Sequence, residues 1–79
     1  MVDESAEYKA LRETLVEARV AAEVTQRELA VRLRRPQSFV WKIENDARGI
    51  DVIEFVKVAR ALKVDPLKLL SRLVKAAEL

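Results

Sequence analysis

The chain has no cysteine and no histidine. Without cysteine there is no disulfide framework, no zinc thiolate site and no thiol nucleophile. Without histidine it lacks the usual base near neutral pH and the commonest metal ligand. No coherent set of acid, base and nucleophile stands in their place, so the sequence reads as a non-enzyme needing no metal and no cofactor. One glycine and two prolines leave little material for turns. No apolar run approaches the roughly 18 residues of a membrane span. Asp3, Glu4 and Glu7 sit where a secretory leader would be basic. The expectation is a soluble cytoplasmic protein.

What remains is apolar and charged in comparable measure. Hydrophobic residues make up 51% of the 79, ample for a core and too many for a disordered chain. Leu, Ala, Glu, Lys, Arg and Val dominate, which favours helices with short connections. The expected organisation is one domain over 1–79, with a core from about 8 to 74 and residues 1–6 as a loose arm. The overall charge of +2 is unevenly spread. Residues 1–24 carry net −3, residues 25–50 net +3 and residues 51–79 net +2. The middle third, with Arg27, Arg32, Arg34, Arg35, Lys42 and Arg48, is where an anionic partner would be drawn.

Five helices and no strand are expected. The first runs from about Glu7 to Ala22, with Ser5 as its cap and Leu11, Leu15, Ala18 and Ala22 as an apolar stripe. The second opens on a capping box, Thr25-Gln-Arg-Glu28, and turns Leu29, Ala30 and Leu33 inward before ending near Leu33. Arg34-Arg35 is the turn. Pro36 starts a third helix reaching Asn45, because proline suits a first helical turn. Residues 45–49 read as a loop. Asp51 caps a fourth helix ending near Leu62, with Ile53, Phe55, Val56, Ala59 and Leu62 available for the core. Asp65-Pro66 opens a fifth, with Leu67, Leu70 and Leu73 on one side, serving either the core or a dimer seam that also takes Val74. Tyr8 is expected in the core.

Two short helices joined by a tight turn have helix-turn-helix geometry. At about 100° per residue, Val40 and Ile43 of the third helix point one way. Gln37, Ser38, Trp41, Lys42 and Asn45 point the other, with Phe39 on the border. That outer face carries groups able to read base edges. Gln suits adenine, Lys suits guanine, Ser serves either, and an aromatic surface packs on the thymine methyl.

Several stretches then resemble the lambda-repressor-like domain of the Cro/C1 (Xre) class of bacterial and phage regulators. They are Leu15-Val-Glu-Ala-Arg19, Thr25-Gln-Arg-Glu-Leu-Ala30, Pro36-Gln-Ser-Phe-Val40, Lys42-Ile-Glu44, Ala59-Arg-Ala-Leu62 and Val64-Asp-Pro66. The resemblance implies an all-α, compact five-helix domain whose helices 2 and 3 form the helix-turn-helix. It further implies a sequence-specific transcriptional regulator, a repressor, that binds double-stranded DNA as a homodimer on the nucleoid. By position, Gln37, Ser38 and Lys42 fall where the family meets bases, and Trp41 joins them. Gln26 falls where the family holds a phosphate, and Asn45 and Arg48 where it touches the far backbone. Thr25, Arg27, Arg35 and Phe39 are the further expected backbone contacts. Arg19 and Glu44 match an ion pair tying helix one to helix three.

The sequence departs from the pattern at the helix ends, where glycine is usual and Glu23, Arg34, Asp46 and Lys63 stand instead. A left-handed non-glycine residue costs roughly 1 kcal/mol, so either these turns take other shapes or the core compensates. Asp46 also places an anion in a loop expected to meet phosphate. Trp41 replaces a small residue, and packing on a second protein is an alternative role for it. Together with the acidic first helix, these features support a second reading. In that reading the domain is a protein-interaction module, for example an antitoxin-like partner, that keeps the fold but binds DNA weakly or not at all.

Overall fold

A computed structural model describes residues 5–45 and 49–79. The start of the expected arm (1–4), Asp46 and the predicted backbone contact Arg48 lie outside the described residues. Among the described residues are five helices and no strand: α1 Ala6–Ala21, α2 Gln26–Leu33, α3 Gln37–Asn45, α4 Val52–Ala61 and α5 Pro66–Ala76. Ser5 and Ala6 are not part of a loose arm. The Ser5 Oγ accepts from the Tyr8 amide at 3.2 Å, and α1 begins at once.

Side-chain oxygens close the starts of α2, α4 and α5 too. The Thr25–Glu28 capping box is present in both directions, at 3.0 and 2.9 Å. Asp51 and Glu54 form a second box at the start of α4. Asp65 accepts from the Leu67 amide at 2.9 Å, with Pro66 in the first turn of α5. Each box satisfies amides that the helix itself leaves without partners. Pro36 lies just before α3 rather than inside it, and its carbonyl accepts from the Phe39 amide at 2.9 Å.

The helix ends resolve the question of the missing glycines. Glu23, Arg34 and Lys63 keep the left-handed backbone, at φ of 58°, 56° and 59°. Glu78 does the same at 56°. Behind each, a pair of amides folds back onto the last turn. The Val24 amide donates to the Arg19 carbonyl and the Glu23 amide to that of Val20; Val64 and Lys63 repeat this on Ala59 and Arg60. This is the Schellman arrangement, and its two hydrogen bonds hold the strained residue in place.

The core joins α1 to α3 and α5, α2 to α3 and α4, and α4 to α5. Leu15, Leu29, Val40, Val58 and Leu69 are its most completely buried large side chains. Ala18, Val24, Ala30, Ile43, Phe55, Ala59 and Leu62 complete it. Three expected core residues, Tyr8, Ile53 and Val56, need correction. Tyr8 is not core: it is 48% exposed, and its ring edge lies against Gly49. There a Cβ would come within 2.6 Å of the ring, and φ is +78°. Ile53 and Val56 of α4 face outward. In α5 the core residue is Leu69, with Leu73 packed partly against it, whereas Leu67 and Leu70 are exposed. The helix carries two apolar stripes one residue out of phase, and the core takes the one containing Leu69.

Candidate nucleic-acid interface

The turn between α2 and α3 sets the site. Arg34 in the left-handed region (φ 56°, ψ 42°) reverses the chain, and the Arg34 and Arg35 amides bond back to the carbonyls of Val31 and Ala30. α3 is then anchored by Val40 and Ile43, both buried against the core. With that face fixed, Gln37, Ser38, Trp41, Lys42 and Asn45 are all exposed on the other. Trp41 is 53% exposed and lies outside the core cluster.

The expected backbone-contact residues divide. Thr25 and Arg27 are exposed at the start of α2, although the Thr25 hydroxyl is occupied in capping. Arg35 turns toward α4. Its guanidinium stacks 3.9 Å over the Phe39 ring and lies 3.8 Å from a Glu54 carboxylate oxygen. Phe39 is half-buried at the edge of the core. Asn45 folds its amide onto its own helix, donating from Nδ2 to the Trp41 carbonyl at 2.9 Å. Arg35, Phe39 and Asn45 thus already have partners within the domain.

Behind the face is a buried polar cluster. Arg19 Nε donates to Glu44 Oε2 at 2.6 Å, and Nη2 to Oε1 at 3.1 Å. The two side chains are only 15% and 4% exposed. Arg19 Nη1 also donates to the Val24 carbonyl at 2.9 Å. Gln26, the first residue of α2, donates from Nε2 to Glu44 Oε1 at 2.8 Å. This last bond joins residues 18 apart in sequence and has no local signature. Neither has the bond from Arg32 Nη1 to the Ala61 carbonyl, which ties α2 to the end of α4.

A family model for helix-turn-helix domains matches residues 15–69. The chain belongs to the helix-turn-helix family of Cro/C1 (Xre) type, a family of DNA-binding transcription regulators. Among solved structures, the domain is 56% identical to an XRE-family like protein from Pseudomonas syringae pv. tomato str. DC3000. That match covers 89% of this chain and 85% of that one, with a TM-score of 0.81. Two more distant relatives share the fold. The restriction-modification controller protein C.Esp1396I, solved as a tetramer with its natural 35 base-pair operator, is 18% identical over 96% of this chain and 100% of that one, with a TM-score of 0.83. The clp gene regulator ClgR from C. glutamicum is 23% identical over 87% of this chain and 90% of that one, with a TM-score of 0.78. No curated protein matches the sequence.

Proposed function

We propose that this domain is a sequence-specific repressor that places α3 in the major groove and acts by occupying its site. The observation that carries the reading is the division of α3. Val40 and Ile43 lock one face to the core, which leaves Gln37, Ser38, Trp41 and Lys42 exposed together on the other. Their chemistry matches base edges: amide to adenine, ammonium to guanine, hydroxyl to either, indole surface to a thymine methyl. Gln26, Thr25 and Arg27 at the start of α2 are placed to meet phosphate and set the register, with Arg48 and Asn45 contributing from the end of α3 and the loop beyond. Arg35 and Phe39 reach the backbone only at the edge of this footprint, since both are engaged toward α4. The work is binding, not catalysis, and takes place where the DNA is, in the cytoplasm on the nucleoid.

The same reading makes the protein a homodimer of single-domain chains. Leu67, Leu70 and Val74 form the exposed stripe of α5, and Val52 and Val56 of α4 are exposed as well. Between these helices lies an apolar groove of about 330 Å³, floored by Leu11, Phe55 and Leu73. A second copy would cover this surface, and the tetramer that C.Esp1396I forms on its operator supports self-association.

The competing reading is a protein-interaction module, and the half-exposed Trp41 is the observation in its favour. Titrating the domain into mixed-sequence duplex DNA at two salt concentrations separates them. Contacts to about six phosphates predict an affinity loss of about a thousandfold between about 50 and 200 mM salt. A folded domain with no duplex binding at the lower salt would leave only the interaction module.

A further inference from the structure

We propose that the buried Arg19–Glu44 pair is a positioning device for DNA binding, with Glu44 holding the Gln26 side chain ready for phosphate. The inference rests on the reading of Gln26 as a backbone contact. Glu44 Oε1 accepts from two donors, Arg19 Nη2 at 3.1 Å and Gln26 Nε2 at 2.8 Å. Arg19 is itself fixed by its bonds to both carboxylate oxygens and to the Val24 carbonyl just before α2. The carboxylate therefore has little freedom, and a side chain bonded to it inherits that rigidity.

Gln26 needs such a hold. Glutamine is among the side chains that lose most rotamer freedom when ordered. An amide nitrogen carries two hydrogens, so one can stay on Glu44 while the other, with Oε1, remains available to a partner. Gln26 is the first residue of α2, where the helix amides lack intrahelical partners and an anion is favoured. Ordering it before DNA arrives removes a cost that binding would otherwise carry. An ion pair serving only to join α1 to α3 would be indifferent to what Gln26 does.

The test replaces the pair by apolar side chains of similar length, Arg19→Met with Glu44→Met, a change that buried pairs often tolerate without loss of stability. On mixed-sequence duplex at about 50 mM salt, the folded double variant should bind about three- to tenfold more weakly, the cost of freezing one free side chain. In a Gln26→Ala background the same exchange should have no effect. An equal drop with and without Gln26, or no drop, overturns the proposal while leaving duplex binding by the wild type intact. A wild type that binds no duplex overturns the regulator reading and the proposal together. A second measurement needs neither DNA nor a variant. NMR relaxation of the Gln26 side-chain amide in the free wild-type domain should show one ordered rotamer with motion as restricted as that of the neighbouring backbone. A freely averaging Gln26 side chain would overturn the positioning role.

Discussion

Glu23, Arg34 and Lys63 take a backbone conformation that glycine adopts at no steric cost, and each does so without glycine. The sequence identified these positions through the resemblance, and the structure keeps the left-handed turn at all three. Each pair of Schellman hydrogen bonds outweighs a local penalty of roughly 1 kcal/mol. Glu23→Gly combined with Lys63→Gly should therefore stabilise the domain by about 2 kcal/mol, since the two sites close different helices. In a thermal melt this is a rise of about 8 °C or more for a chain of this size. An unchanged or lowered midpoint would show that the left-handed residues carry no strain. Arg34 is left out of the pair because it sits in the turn that aims α3. Single residues were less legible where they meet partners distant in sequence. The resemblance implies a phosphate contact for Gln26 and an ion pair with Arg19 for Glu44, but nothing local says that the Gln26 and Glu44 side chains touch.

Helix starts were the most legible elements, because a capping box is a pattern of residues three apart and owes nothing to tertiary structure. At Thr25–Glu28 the box also has an electrostatic consequence. Hydrogen bonds to the Glu28 carboxyl from the Thr25 amide first, and then from its hydroxyl, hold that carboxyl below its ordinary value of 4.5, with Arg32 adding a smaller effect. The folded value is depressed, so this contribution to stability is fully present above about pH 4.5 and is lost as the pH falls through the folded value. Glu28→Gln should accordingly flatten the acid limb of a stability profile recorded from about pH 6 to about pH 3. Parallel profiles for the two proteins would show that the box is not populated in solution. Which face of a helix turns inward was harder to read. In α5, Leu67, Leu70 and Val74 make one stripe and Leu69 and Leu73 another. Periodicity alone cannot choose between two such stripes, because the choice is made by the shape of the surface left by α1 and α4. The same holds in α4, where Ile53 and Val56 were open to the core and both face outward.

For the molecule as a whole, α1, α4 and α5 act as the frame and the α2–α3 unit as the working part. Arg32 ties α2 to the end of α4, and the Arg19–Glu44–Gln26 cluster ties α1 and α3 to the start of α2. The α2–α3 unit is thus held from two sides, while the exposed apolar residues of α5 and α4 are, in the proposed function, what a second copy would cover. A twofold dimer demands twofold symmetry in its DNA, with half-sites about one helical turn apart. The most direct test is selection from a random duplex library, run with the wild-type domain and with a Gln37→Ala, Lys42→Ala variant. The account predicts an enriched symmetric motif with half-sites about 10 base pairs apart, which loses definition at the contacted positions in the variant. A motif equally sharp in both proteins, or no enrichment by the folded wild type at low salt, would contradict the claim that α3 reads DNA.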